Sequence, residues 1–207
     1  FTLEQFIEEF DIKKVNPVSA VFDRKKLYWL NGVWLRMLSD EGYYKKFINW
    51  IKEYSNYQNV PEKRFFETYL TADMGYMMKA IALEKERAKT FSEMADSIMF
   101  LLADPKPNFD DPKFVDMKIK GKKAVLMRLF IKFEKYNEDS SLWSHEDWEA
   151  DVRSIADEVK EKHGDVFMLL RFAITGSSVS PELFSTMQLL GKNKSLERIN
   201  NFKEMIG

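Results

Sequence analysis

The sequence predicts an all-α protein. Apolar residues recur at steps of three and four along nearly the whole chain, alternating strand patterns are scarce, and glycine and proline stand where helices would stop or start. With 207 residues, 45% apolar and 14% aromatic, the chain buries a real core in one large domain or two to three small ones.

Thr2 and Gln5 have the spacing of a capping box, and Leu3/Ile7 and Phe6/Phe10 follow at i, i+4, so a helix is expected almost from residue 1. After the turn-forming stretch NPVSAVFD, Leu27, Leu30, Trp34 and Leu38 mark one side of a second helix. Further helices fit Tyr43 to Ser55, Glu62 to Leu70 and Gly75 to Lys89, the last burying Met74, Met78 and Ile81. Ser92 is expected to cap the next, with Met94, Ile98 and Leu101 on its inner side.

The clearest break is ADPKPNFDDPK, 103–113, with three prolines and three aspartates, which reads as a linker or domain boundary. Beyond it, Leu126, Leu129, Phe130, Phe133 and Tyr136 outline one helix, and Trp148, Val152, Ile155 and Val159 another that Gly164 should end. Asp165 to Ile174 follows, stopped by Gly176, then Pro181 to Leu190, stopped by Gly191, and a last helix from Ser195.

Thirty-two basic against 33 acidic residues give a net charge of -1, so no bulk field attracts nucleic acid or membrane, and either partner would need a local patch. The absence of cysteine removes disulfides, thiolate zinc sites and cysteine nucleophiles, and suits a reducing cytoplasm. No apolar stretch approaches the roughly 20 residues of a membrane span. Two histidines far apart, His145 and His163, make no zinc site. The carboxylates of SHEDWEAD suit a helix N-terminus, and GKNKS lacks the spacing of a phosphate-binding loop. The chain does not begin with Met, as expected of a piece of a longer protein.

Two features remain. Residues 118–135 hold seven Lys/Arg against one Glu, and Arg128, Lys132 and Lys135 fall at i, i+4, i+7, a solvated face or a phosphate-contacting stripe. Arg171 is the lone charge between Val166 and Val179. A buried guanidinium must reach water, a carboxylate or a ligand, and Ser180-Pro181 just beyond has the pattern of a helix start, serine capping and proline at the first position. Hydroxyl, free amides and arginine together suit base edges or phosphates, as well as ordinary capping.

Three stretches, in order, resemble the C-terminal half of bacterial glutamyl-tRNA synthetases: VNPVSAVFDRKKLYWLNGVWLR (15–36), KERAKTFSEM (85–94) and LLRFAITGSSVSPELFSTMQLLGKNKSLERI (169–199). The resemblance implies a stem-contact helical segment over 1–50 and two helical anticodon-binding subdomains forming a cage, 51–102 and 103–207. It implies that the catalytic part, which takes ATP and Mg, precedes residue 1, that this piece holds no cofactor and performs no chemistry alone, and that the parent enzyme is a monomer. Its partner would be the glutamate-accepting tRNA, with no membrane. Matching motif to motif, the anticodon-binding positions fall on Arg171, Ser180, Pro181 and Leu183, and Arg87 matches a position that discriminates the third anticodon base. Leu170 departs from the family, where proline commonly precedes the arginine. Trp29 and Trp34 read as core rather than base-stacking platforms, and Asn31 as the holder of a helix–helix corner. The rival reading is a helical protein-interaction scaffold; a free-standing hydrolase lacks both a Gly-rich loop and a nucleophile constellation.

Overall fold

A computed structural model of the chain describes residues 2–15, 21–54 and 63–206, with the side chains of 63–66 left aside. Asn16 to Ala20 of the expected turn, and the expected helix ends Ser55 and Glu62, lie outside the described residues. Among the described residues every regular element is helical.

Helix α1 (Leu3–Glu9) opens on the expected capping box: Thr2 Oγ1 accepts from the Gln5 N–H at 3.3 Å, and the Gln5 side chain accepts from the Thr2 N–H at 2.8 Å. A 3-10 turn, Ile12–Lys14, follows. Helix α2 (Arg24–Met37) begins where the Asp23 carboxylate accepts from the Lys26 N–H. Its expected inner stripe faces out instead: Leu27, Leu30, Trp34 and also Trp29 are 40% to 58% exposed. The helix docks through its other side, burying only Gly32 and Leu35, and a Cβ on Gly32 would stand 2.8 Å from the Lys89 side chain. Periodicity marks an apolar stripe but not the body that covers it. Asn31 does hold a corner, donating to the Lys89 carbonyl.

Helices α3 (Asp40–Tyr54), α4 (Lys63–Thr71), α5 (Met74–Glu84) and α6 (Phe91–Leu102) enclose one core around Tyr43, Phe47, Tyr69, Met77, Ile81, Met94 and Ile98. On α5 the buried set is Met77, Ala80, Ile81 and Glu84, while Met74 is exposed and Met78 half-buried. The expectation for those two methionines is one step off because α5 packs against α3, α6 and the last helix at once, and the centre of these contacts selects the inward face. The cap of α6 is Thr90 rather than Ser92: Thr90 has the extended backbone a cap needs and accepts from the Glu93 N–H at 3.1 Å, whereas Ser92 lies inside the first turn.

After the irregular 104–111 segment, the short α7 (Pro112–Val115) and helices α8 (Lys122–Glu134), α9 (His145–Val159), α10 (His163–Thr175) and α11 (Leu183–Met205) surround a second core that includes Leu126, Phe133, Trp148, Leu169, Phe172 and Phe202. Helix α9 ends at Lys160, not Gly164: Lys160 takes the left-handed conformation, φ 57°, that returns its N–H to the helix, and Gly164 falls in the first turn of α10. Gly176, φ 75°, ends α10 as expected, and Gly191, φ 78° and ψ 169°, breaks α11 in two.

The cores meet at Arg198 on α11, only 3% exposed. Its Nη1 donates to the Ile174 carbonyl at 2.8 Å, and its Nη2 to Phe100 at 2.5 Å and Ala103 at 3.2 Å. One guanidinium thus serves the C-terminal ends of α10 and α6, where carbonyls lack helical partners and the dipole favours a cation. No described helix is long and apolar enough to cross a membrane.

Candidate functional site

The site forms where the end of α5 meets the loop between α10 and α11. The apolar face of α10 anchors that helix in the second core through Val166, Leu169, Leu170 and Phe172, which leaves Arg171 half-buried at its edge. Beyond Gly176 the chain turns back over residues 177–182. Three attachments fix this loop. The Ser178 hydroxyl donates to the Asp111 carboxylate at 2.7 Å, and the Asn108 N–H to the Gly176 carbonyl at 3.0 Å, both tying it to the linker. The bond from Ser178 holds the Asp111 carboxyl below its ordinary pKa. At the far end the Glu182 carboxylate accepts from the N–H groups of Phe184 and Ser185 at 2.9 and 2.6 Å. Burial raises the Glu182 pKa, but those bonds outweigh it and leave the group below its usual value.

Glu182, and not Ser180, is therefore the N-cap of α11, and the expected Ser180-Pro181 helix start is corrected. The rigid proline sits two residues before the helix, and a carboxylate serves two amides where a hydroxyl would serve one. Ser180 is turned to other use. Arg171 donates through Nη1 to the Ser180 hydroxyl, to the Pro181 carbonyl at 2.9 Å and, more weakly, to the Ser180 carbonyl at 3.4 Å. From the other core, Arg87 Nη1 reaches the same Ser180 carbonyl at 2.7 Å and the Glu84 carboxylate at 3.0 Å.

Two guanidinium groups thus converge on one carbonyl. Burial lowers the Arg171 pKa; nearby Glu182 opposes this, and Arg87 adds to it as a like charge. Both remain cations, since a guanidinium does not deprotonate in proteins. Each is held by a single nitrogen, and among the described residues the Nε and Nη2 donors of both have no acceptor. The Arg87 side chain is 53% exposed. A pair of arginines, each with a planar edge of unused N–H donors, suits a carboxamide-like or phosphate acceptor.

The structure brings together Arg87, Arg171, Ser180 and the Pro181 backbone. Leu183 it does not: that side chain is 3% exposed and packs in the second core. Pro181 is itself buried and offers its carbonyl to Arg171 rather than its ring to solvent. A groove of about 680 Å³ opens beside the site between α5 and the start of α11, lined by Tyr76, Lys79, Leu83, Ser140, Ser185 and Gln188 among others. Sequence reasoning missed Glu84 and Glu182; the i, i+3 spacing of Glu84 to Arg87 was the available signal.

The basic stripe is less free than its charges suggest. Arg128 pairs with Glu158 at 3.1 Å and Lys132 with Asp151 at 2.8 Å, both acids lying on α9, while Lys135 is exposed at the end of α8. His145 packs edge-on against Phe184, His163 bonds Asp157, and no group of metal-ligating side chains occurs among the described residues.

Residues 42–203 match the family model described as an anticodon binding domain. The chain is similar to glutamate–tRNA ligase 2 of Chelativorans sp. (strain BNC1), 34% identical over 97% of this chain and 40% of that protein. It is also similar to the glutamate–tRNA ligase of Alcanivorax borkumensis, 30% identical over all of this chain and 37% of that protein. Among solved structures, the glutamate–tRNA ligase of Elizabethkingia meningosepticum superposes with a TM-score of 0.73 at 21% identity, covering this whole chain and 37% of that one, a likeness of fold. The chain spans about two fifths of the length of the curated relatives it matches.

Proposed function

The chain belongs to the anticodon-binding domain family, and on that premise we propose that it reads the anticodon of a glutamate-accepting tRNA as one part of a glutamate–tRNA ligase. The observation that carries the proposal is the convergence of Arg87 and Arg171, one from each core, on the Ser180 carbonyl with their remaining donors unused. Single-stranded RNA is read through bases that leave their stack and meet arginine planes and main-chain groups. Here each guanidinium is held at Nη1, which leaves Nε and Nη2 for the edge of a base. The loop 177–182 supplies a rigid floor, and the groove between α5 and α11 gives neighbouring nucleotides room.

In this reading the two helical halves divide at the 103–113 linker, and Arg198 keeps the two arginines at a set spacing. Arg171 acts at a base edge directly, and Ser180 acts by anchoring both arginines; Leu183 acts only by holding the start of α11 in the core. Exposed ion pairs contribute about 0 to 1 kcal/mol, so a phosphate can displace Glu158 from Arg128, with Lys132 and Lys135 adding charge. Attachment of glutamate, with ATP and Mg, belongs to the part of the ligase that this chain does not span; the residues described here offer a binding surface and no reaction centre. A cytoplasmic, monomeric parent enzyme accords with this reading.

The test is fluorescence anisotropy of the 207-residue chain with two stem-loop RNAs of equal length at one salt concentration, one carrying a glutamate anticodon and one an unrelated anticodon. Tighter binding of the first is expected. Equal affinity for both, or binding of neither, removes the proposal.

A further inference from the structure

We propose that Glu84 is a positioning residue: its buried carboxylate fixes the Arg87 guanidinium so that Nε and Nη2 face outward to a nucleobase. The inference rests on the anticodon reading given above. Glu84 occupies the last residue of α5, on that helix's inner face, and its side chain is 4% exposed against 53% for Arg87. A carboxylate so placed cannot turn to water, and leaving it unpaired is strongly unfavourable. The hydrogen bond given to its side chain comes from Arg87 Nη1, at 3.0 Å. The asymmetry matters: in an exposed pair both partners wander, but here the acid is buried and the arginine must come to it.

Geometry supports the same role. The backbone N–H groups of Arg87 and Ala88 both return to the Glu84 carbonyl at 2.9 Å, so the turn that carries Arg87 is pinned to the residue that holds its side chain. From the opposite core the Ser180 carbonyl accepts from the same Nη1 at 2.7 Å. One nitrogen is gripped from two sides, and a planar guanidinium gripped at one nitrogen has its other edge aimed. An arginine free to rotate would lose binding strength to ordering on every encounter, whereas an aimed one does not. Glu84 touches no base in this scheme; it acts through Arg87.

The experiment compares Glu84→Gln, Arg87→Ala and the double variant in the 207-residue chain, reading the ratio of affinities for two anticodon stem-loops that differ only at the third anticodon base. Arg87→Ala is expected to lower the ratio by roughly 5- to 150-fold, the range of one good base contact. Glu84→Gln, which keeps size but removes charge, is expected to lower it by at least about threefold, and the double variant to fall no further than Arg87→Ala. A full ratio in Glu84→Gln beside a lowered one in Arg87→Ala overturns the role of Glu84 and leaves the anticodon reading standing. An unchanged ratio in Arg87→Ala overturns both. Side-chain nitrogen NMR of the unaltered chain gives an arm independent of variants: restricted rotation of the Arg87 guanidinium is expected, and rotation as free as that of a solvent-exposed arginine overturns the anchor.

Discussion

Arg198 Nη2 meets the Phe100 carbonyl at 2.5 Å across the seam between the two cores, so one side chain of the last helix closes the end of a helix almost a hundred residues earlier. Ile174 and Ala103 complete its acceptors, and Asp104, tied to Lys194 at 2.8 Å, keeps the linker alongside.

Replacing Arg198 by alanine strands one buried carbonyl, Ile174, and two half-buried ones, Phe100 and Ala103. Each buried group left unpaired costs about 1 to 3 kcal/mol, so the chain should lose about 1 to 3 kcal/mol. Urea unfolding reads this as a lower midpoint; a midpoint within error of the parent would mean that the seam is held by apolar packing alone.

Gly176 answers to a different constraint. Its φ of 75° is one that L side chains rarely adopt, and a Cβ there would lie 3.0 Å from Pro105 and 3.2 Å from the Lys106 carbonyl. Gly176→Ala is expected to destabilise by about 1 to 3 kcal/mol. Because the Gly176 carbonyl also accepts from Asn108, the loop beneath the two arginines should loosen too, which faster amide exchange at 177–182 would reveal.

Arg171→Ala removes the donor to Ser180 and Pro181 and, in the proposed reading, one base contact. Discrimination between glutamate and unrelated anticodons should fall by about 1 to 3 kcal/mol. Stem-loop titrations at fixed salt measure it, and an unaltered preference would assign Arg171 to loop architecture alone.

Neutralising Arg128 and Lys132 together should weaken all RNAs alike. The slope of log affinity against log salt should flatten by roughly 1 to 2. The loss of stability should be small for Arg128, whose pair with Glu158 is half exposed, and larger for Lys132, whose partner Asp151 is only 22% exposed. A slope equal to that of the parent chain places the footprint elsewhere.

Burial raises the Glu84 pKa, with Arg87 pulling the other way and not prevailing. A carboxyl whose folded pKa exceeds its unfolded value stabilises most below the unfolded value, and this contribution is lost as pH rises through the folded one. The melting temperature of the parent chain relative to that of Glu84→Gln should therefore fall as pH rises from about 4 to 8. Parallel curves would mean that Glu84 titrates like a free carboxyl.

Local signals were legible where the chain itself supplies the partner. The Thr2–Gln5 box, the stop at Gly176 and the break at Gly191 depend on neighbours a few residues away, and all three could be read from letters alone. Where two residue types compete for one local job, reading failed. Ser92 lost its cap to Thr90, Ser180 to Glu182, and Gly164 its stop to Lys160, because the preferred residue type acts only if the backbone places it one step outside the helix.

The sequence by itself determined an all-helical chain, the proline-rich break before α7 and the isolation of Arg171 in an apolar run, since periodicity, proline spacing and a lone charge are properties of the chain in order. Tertiary structure alone decided that the apolar stripe of α2 faces out, that the Arg128 and Lys132 charges are matched by acids of α9, and that Arg87 and Arg171 share one carbonyl with Glu84 behind them. The reason is physical. Helix periodicity is set by hydrogen bonds four residues apart, whereas burial and charge pairing are set by which surfaces meet, and that depends on contacts between residues far apart in the chain.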